Sequence, residues 1–294
     1  MPMRWGWTVW VAGVIGLHGA PAESWNNPPK ERIDGLEHRT FQSRSMHCDV
    51  GFNIYFPPQY RTQEGKKFPV IYHLSGMGDT ESSELDLVPI LDRAIRQGTV
   101  PPLILVMVNG GKLSFYADSV DGKVLAETAF IKELIPHVDA TCRTVASREG
   151  RGLHGFSMGG FGALKFAAKY PEMFSSVMAY ATGLYDGQMM KEKLPKVLAA
   201  TFDNDPRRFD YEAPRYFLEF NGEKVRGKIS IRLVVGSKEL LLELCRRMHQ
   251  YMDEKKIPHQ YEEIAGVGHK SSEMFEKTGL RGLEFLAKSL TAER

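Results

Sequence analysis

Three glycines surround a single serine in the stretch HGFSMGG, His154 to Gly160. Each glycine costs roughly 0.5–1 kcal/mol relative to alanine inside a regular element, so a physical requirement must keep glycine there. Gly155 to Gly159 fits G-x-S-x-G, a tight strand-to-helix turn that lifts a serine hydroxyl above the edge of a sheet. Side chains at positions 155 and 159 would collide across such a turn. We therefore interpret Ser157 as a candidate nucleophile, with a plain glycine turn as the alternative.

A serine hydroxyl needs a base to remove its proton, and the base needs a carboxylate to orient it. Three histidines follow Ser157 in the chain: His249, His259 and His269. The first lies in a helical pattern and the second begins a strand. His269 lies in GVGHK, a flexible turn after the last predicted strand, and we take it as the candidate base.

The orienting carboxylate is predicted at the end of a strand. The segment ISIRLVV runs into Gly236-Ser237-Lys238-Glu239, which places Glu239 just before a helix. A glutamate in the first turn of a helix also interacts favourably with the helix dipole, which is the alternative reading. The acids held in reserve are Asp203, Asp205 and Asp210.

Attack on a carbonyl also needs two donors for the developing oxyanion. One candidate is the backbone N–H of Met158, directly after the serine. The second is the backbone N–H of Met77, which lies between Gly76 and Gly78 in the loop after a long strand.

The elements that must position these residues alternate between strand and helix. This alternation predicts an α/β fold, a mostly parallel sheet with helices on both faces. Residues 23–45 are polar and predict an irregular lead-in. The predicted strands are 52–58, 68–76, 101–111, 151–157, 175–183, 229–237 and 259–266, and the predicted helices are 84–97, 127–138, 160–170, 239–256 and 271–290.

Residues 184–228 interrupt the alternation. We interpret this segment as a cap-like excursion over the carboxyl edge of the sheet, within a single domain spanning residues 23–294. Aromatic side chains in and near it could stack on a phenolic ring or a sugar, although packing against the sheet explains each of them as well. They are Tyr116, Tyr185, Phe202, Tyr211 and Tyr216.

The first 22 residues have the layout of a secretory signal peptide. Arg4 is followed by an apolar run to about Leu17 and then by Ala20-Pro21-Ala22. The run is shorter than the ~20 residues that a membrane span needs. We expect a secreted or periplasmic protein with no stable membrane span after processing, a retained N-terminal anchor being the alternative.

Composition excludes several classes of partner and cofactor. The 38 basic and 36 acidic residues give a formal net charge of +2 without a like-charge block, so no nucleic acid is expected as a partner. Cys48, Cys142 and Cys245 have no metal-binding or redox spacing. Cys245 reads as a buried helix residue, and a Cys48–Cys142 disulfide stays open. We expect no cofactor and no metal.

The stretch GFSMGGFGALKFAAKYPEMF resembles the putative-esterase group of α/β-hydrolases, which includes feruloyl and acetyl-xylan esterases, esterase-D-like enzymes and mycolyltransferases. YFPPQY, SFYADS, ELIPHV and VGHK extend the resemblance over about residues 45–285. It implies the α/β-hydrolase fold, Ser157 as nucleophile, His269 as base, and Met77 with Met158 as oxyanion donors. Two departures are Ser75-Gly76, where many relatives carry His-Gly, and Glu239, where relatives carry aspartate.

These observations favour an exported serine esterase acting on feruloyl or acetyl esters of plant polysaccharide. Its partner would be a small-molecule or polysaccharide-linked ester. An acyltransferase that uses a sugar acceptor, and a binding protein without catalysis on the same scaffold, are the alternatives.

Overall fold

An eight-stranded sheet forms the centre of the protein in the computed structural model, which describes residues 25–290. The strand order is β1-β2-β4-β3-β5-β6-β7-β8. Strands β3 to β8 are parallel, and β2 pairs antiparallel with both of its neighbours. The strands are β1 (Leu36–Ser43), β2 (Cys48–Tyr55), β3 (Val70–Leu74), β4 (Ile104–Val108), β5 (Arg151–Phe156), β6 (Ser176–Tyr180), β7 (Ser230–Gly236) and β8 (Gln260–Ile264).

Apolar residues on the two faces of the sheet build two separate clusters. Along β4, Ile104, Val106 and Val108 enter one cluster, whereas Leu105 and Met107 enter the other. This alternation follows from the period of two in a strand, and it explains why β4 is apolar at every position. The predicted parallel sheet with helices on both faces is thereby confirmed.

The lead-in predicted as irregular contains a strand, so that prediction was wrong. Residues 36–43 pair antiparallel with β2 over their whole length. β1 lies at the edge of the sheet, and only Phe41 and Ser43 in it are buried. An edge strand exposed in this way keeps polar side chains and shows no apolar pattern in the sequence.

Helices join the strands in the predicted places. Pro89 lies in the first turn of α2, where backbone N–H groups have no partner within the helix, so proline is tolerated. Between β4 and β5, a π-helical segment (Ala129–Leu134) runs continuously between α3 and α4. The helices outside the excursion are α1 (Gln59–Thr62), α2 (Leu87–Arg96), α3 (Ala126–Thr128), α4 (Ile135–Thr141), α5 (Met158–Lys169), α10 (Leu242–Glu254) and α11 (Ser271–Ser289).

The excursion folds into four consecutive helices. They are α6 (Gly187–Lys193), α7 (Pro195–Phe202), α8 (Pro206–Glu212) and α9 (Pro214–Val225). Three of them begin with proline, whose fixed φ suits the first helical position and whose missing N–H costs nothing there. Helix α9 packs against α5, so the excursion is tied to the helix that follows Ser157.

The predicted leader lies outside the described residues. Between residues 25 and 290, no helix combines the length and the apolar character needed to cross a bilayer. All three cysteines are free thiols, and Cys245 is buried in α10, as its interpretation predicted.

Candidate functional site

Ser157 occupies the junction between β5 and α5, in a backbone conformation that L-residues rarely adopt. Its φ is 54° and its ψ is −117°. The Ser157 N–H donates to the Tyr180 carbonyl at 2.9 Å, and the Phe161 N–H donates to the Ser157 carbonyl at 2.9 Å. These bonds to β6 and α5 hold the unfavourable conformation in place.

The glycines around Ser157 leave no space for side chains. A Cβ at Gly155 would lie 2.2 Å from the carbonyl oxygen of Gly159, and one at Gly159 would lie 1.8 Å from the carbonyl oxygen of Leu74. A Cβ at Gly160 would lie 2.6 Å from the Tyr180 carbonyl oxygen. The turn and the close approach of α5 to the sheet therefore require glycine.

His269 and Glu239 come from two different loops and form a hydrogen bond. His269 follows β8, Glu239 follows β7, and His269 Nδ1 lies 2.7 Å from Glu239 Oε1. The Glu239 side chain is fully buried, whereas that of His269 is 31% exposed. The imidazole also lies against the ring of Phe156, with ring centroids 4.9 Å apart. The carboxylate thus fixes Nδ1 as the protonated nitrogen of the neutral ring and leaves Nε2 able to accept a proton.

Ser157 and His269 together line two adjoining pockets. The first has a volume of about 240 Å³ and a mainly apolar wall. The second has a volume of about 410 Å³ and a more polar wall, including Asp79, Lys270 and Ser272. Burial, then the neighbouring charge of Glu84, raises the pKa of Asp79 above its ordinary value.

Both residues proposed for the oxyanion lie at this site. Met77 and Met158 line the apolar pocket with Ser157. Ser75 is held in the loop before Met77. Its hydroxyl donates to the Thr80 carbonyl at 3.0 Å, and its own carbonyl accepts from the Tyr116 hydroxyl at 3.1 Å.

Tyr116 is not placed to bind a substrate, which corrects the expectation from the sequence. It is fully buried, and its ring packs against the backbone of Gly110 and Gly162. It supports the Ser75 loop instead. Phe202 is also buried, in the core of the excursion.

Of the remaining aromatic candidates, Tyr185 lines the apolar pocket beside Ser157. Tyr211 and Tyr216 lie on the exposed outer surface with Phe220, and none of these three lines either pocket at Ser157.

The three reserve acids serve local roles within the excursion. Asp205 accepts from the Arg207 N–H and caps α8, and Asp210 accepts from the Gly187 N–H. Asp203 ends α7 in a left-handed conformation. The acid whose contact with His269 the structure describes is Glu239.

Lys165 is a buried charge that the sequence analysis did not identify. It lies on α5, and its Nζ is 2.8 Å from Glu127 Oε2 and 2.9 Å from the Tyr116 carbonyl, with a further ion pair to Glu212. Burial tends to raise the pKa of Glu127, but the Lys165 ammonium and the hydrogen bonds around the carboxylate outweigh it and lower that pKa to about 2. A lysine in the middle of an otherwise small and apolar helix, which ends at Lys169, was the available signal.

The apolar pocket contains further residues that the sequence did not single out. They are Phe115, Phe161, Gly183, Leu194, Leu240 and Leu241. Leu240 is 78% exposed and directly follows Glu239 in the chain, so an apolar side chain stands at the mouth of the pocket.

Several of the curated proteins with detectable similarity are described as esterases. Esterase Rv1288 of Mycobacterium tuberculosis is 38% identical over 145 residues, which cover 48% of this chain and 31% of that protein. The endo-1,4-beta-xylanase/feruloyl esterase of Xylanibacter ruminicola is 32% identical over 176 residues, which cover 57% of this chain and 24% of that protein. The chain thus spans about a third or less of these relatives.

Solved structures show the same fold. A ferulic acid esterase superimposes with a TM-score of 0.74 at 21% identity, covering 87% of this chain and 98% of that one. An S-formylglutathione hydrolase from Agrobacterium tumefaciens gives 0.73 at 19% identity, covering 89% and 98%. The fold is that of the α/β-hydrolases.

The family profile described as "Putative esterase" matches residues 43–278, which include all eight strands except the first seven residues of β1, both pockets at Ser157, and the His269–Glu239 pair. The chain therefore belongs to the putative esterase family.

Proposed function

We propose that this protein is a serine esterase that hydrolyses carboxylic esters through Ser157, His269 and Glu239. The observation that carries the proposal is the oriented His269–Glu239 pair, whose imidazole shares two pockets with a serine in a strained turn. Family membership and the esterases among its relatives support the same conclusion.

The reaction then proceeds in two balanced halves. His269 Nε2 takes the Ser157 proton as the serine oxygen attacks the ester carbonyl, and the backbone N–H groups of Met77 and Met158 donate to the oxyanion. The alcohol leaves with that proton, and an acyl-enzyme remains. Water, deprotonated by the same imidazole, attacks the acyl carbon, releases the acid and returns the proton to Ser157.

The two pockets suggest which part of the ester binds on which side. The apolar pocket, with Phe115, Phe161 and Tyr185 in its wall, is larger than an acetyl group requires and suits an aromatic acyl group. The polar pocket, with Asp79 and Ser272, suits an alcohol that carries hydroxyl groups, such as a sugar. We therefore favour feruloyl esters of plant polysaccharide over acetyl esters, in line with the feruloyl esterase named among the relatives.

Export fits a polysaccharide substrate. The leader-like residues 1–22 support a secreted or periplasmic location, because polymeric plant substrates do not enter cells.

A fluorophosphonate probe tests the nucleophile. It should label the folded protein at Ser157, and the Ser157→Ala variant should not be labelled. Failure to label Ser157 in the folded wild-type protein would support a binding protein without catalysis.

Substrate class is tested by comparing kcat/KM for methyl ferulate, for p-nitrophenyl esters of rising chain length, and for acetylated xylan. Methyl ferulate should be preferred. A clear preference for acetyl esters would contradict the assignment of the apolar pocket. Product analysis with an added sugar acceptor separates the two reactions, because an acyltransferase would form a new sugar ester in place of free acid.

A further inference from the structure

Two histidines and an aspartate meet on the side of the protein where α10 turns into β8. His249 and Asp253 lie one turn apart on α10, and His259 directly precedes β8. His249 Nδ1 is 2.8 Å from His259 Nε2. Asp253 Oδ2 is 3.6 Å from His249 Nε2, and Asp253 Oδ1 is 4.0 Å from His259 Nε2. One donor atom from each of the three residues lies within 4.8 Å of the others.

The hydrogen bonds around His259 fix which of its nitrogens can bind an ion. His259 Nδ1 lies 2.8 Å from the Ile257 carbonyl oxygen, and only an N–H can bond to a carbonyl. The proton of the neutral ring is therefore on Nδ1, and Nε2 presents a lone pair toward His249. A backbone carbonyl that orients an imidazole in this way is the usual outer contact of a metal-binding histidine.

The rings themselves are held in place. The His259 side chain is only 2% exposed. The His249 ring stacks on the Tyr261 ring, with centroids 4.4 Å apart and planes inclined by 6°. Asp253 is 63% exposed and can change rotamer at little cost. Two positioned imidazoles thus lie beside one exposed and adaptable carboxylate.

We propose that His249, Asp253 and His259 form a binding site for a divalent transition-metal ion of the zinc class. Tetrahedral zinc at 2.0–2.1 Å from imidazole nitrogens places two such nitrogens about 3.3 Å apart, which requires only a small separation of the two rings. Three protein ligands leave a fourth position for water. Imidazole donors favour zinc, copper or nickel over magnesium or calcium, which prefer oxygen ligands.

Proton balance at the site is simple. Without metal, the proton on His249 Nδ1 lies between the two imidazoles and satisfies the His259 Nε2 lone pair. When the ion binds in its place, that proton moves through water to His249 Nε2, so a neutral pair takes up the ion without net proton release.

The site is separate from the proposed catalytic residues, since none of its ligands lines either pocket at Ser157. It joins the end of α10 to the start of β8 across a turn in which Lys256 has a φ of 53°. A bound ion should therefore stabilise the fold while leaving ester hydrolysis unchanged.

The experiment titrates zinc chloride into the chelator-treated full chain and follows the heat of binding and Tm. Saturable binding of one ion and a rise in Tm are expected. A variant carrying both His249→Asn and His259→Asn should lose that binding. His47→Asn, which removes an exposed imidazole from the turn between β1 and β2, is the matched control and should bind like wild type.

The exposed Asp253→Asn variant keeps the test decisive if the double variant folds poorly. Loss of this ligand should weaken zinc binding at least about tenfold, a cost already typical of outer contacts. Cobalt(II) gives a second readout, because tetrahedral coordination produces a visible absorption band that the double variant should lack. Zinc binding unchanged in both variants, or no saturable binding by wild type, would overturn the proposal.

Discussion

At the scale of single residues, Glu239 is the acid whose role can be tested most directly. Glu239→Gln keeps the size of the side chain but removes the charge that holds the His269 Nδ1–H. The amide can also present an N–H to Nδ1, which favours the wrong tautomer. We expect kcat to fall by a factor on the order of 10⁴, the loss typical of such a change in a catalytic triad, while the fold is retained.

Asp205→Asn is the control, because Asp205 caps α8 and does not contact His269. Its kcat should stay near that of wild type, as measured by ester hydrolysis, with circular dichroism to check folding. A large loss in Asp205→Asn with little in Glu239→Gln would show that the acid is misassigned.

Replacing glycine by alanine should change the free energy of unfolding in opposite directions at positions 159 and 222. Alanine at 159 would bring a Cβ to 1.8 Å from a backbone oxygen, which cannot move aside as a flexible side chain can. We expect Gly159→Ala to unfold the protein or to lower its free energy of unfolding by more than the ~1–3 kcal/mol common for overpacking.

A Cβ at Gly222, in α9, would meet nothing within 4 Å. Gly222→Ala should therefore stabilise the protein by about 0.4–1 kcal/mol through the lower entropy of the unfolded chain. Urea unfolding measures both variants, and a harmless Gly159→Ala would refute the close approach of α5 to β3.

The positions of some site residues could be predicted from the sequence, and those of others could not. Glu239 could be placed because a carboxylate at the end of a parallel strand reaches the same edge as the loop of His269. Tyr116 could not be placed correctly, since its burial depends on two distant glycines, Gly110 and Gly162, whose backbones make room for its ring. Nothing in the sequence around position 116 reveals that space.

At the scale of elements, Lys165 connects α5 to the loop of Tyr116, to α3 and to α8. Lys165→Met keeps most of the apolar stem but removes the buried ammonium between the Glu127 and Glu212 carboxylates, which then keep only the more exposed Lys169 as a shared partner. Removing one member of a buried ion pair typically costs about 3–5 kcal/mol, and we expect a loss of this size.

Lys132→Met is the matched control for Lys165→Met, because Lys132 is exposed and its replacement should change stability by no more than about 0.5 kcal/mol. Equal unfolding midpoints for the two variants in urea would show that the buried network contributes little.

Elements were predictable where burial made them apolar. The strands β3 to β7 and the longer helices outside the excursion follow from apolar runs or helical spacing. β1 did not follow, because an edge strand with one partner needs few apolar residues. The four excursion helices were not predicted because they are short, although Pro195, Pro206 and Pro214 are the first residues of three of them.

At the scale of the whole molecule, the Glu127 carboxylate links acid stability to the joining of the excursion with the sheet. Its pKa in the folded protein is about 2, below its ordinary value of 4.5. A lowered pKa means that the charged form stabilises the fold. That contribution is complete above about pH 4.5 and disappears as the pH falls through about 2.

Glu127→Gln should therefore be less stable than wild type at pH 5, and the difference should shrink steadily as the pH approaches 2. Urea unfolding at several pH values measures this difference. The exposed Glu64→Gln variant serves as the control and should follow the wild-type curve. A difference that stays constant or grows with acid would contradict the role of Glu127.

The positive-φ turn that presents the Ser157 hydroxyl lowers the stability of the folded protein. Its φ of 54° and ψ of −117° suit glycine, so Ser157→Gly should raise the free energy of unfolding by about 1–2 kcal/mol relative to Ser157→Ala, which keeps the Cβ and its strain. Both variants lose the hydroxyl, so thermal melts of the pair isolate the backbone contribution. A library of variants at position 157 that is sorted only for resistance to heat should therefore enrich glycine, which lacks the hydroxyl. Because the proposed reaction needs that hydroxyl, natural selection for activity must keep serine although glycine would make the protein more stable.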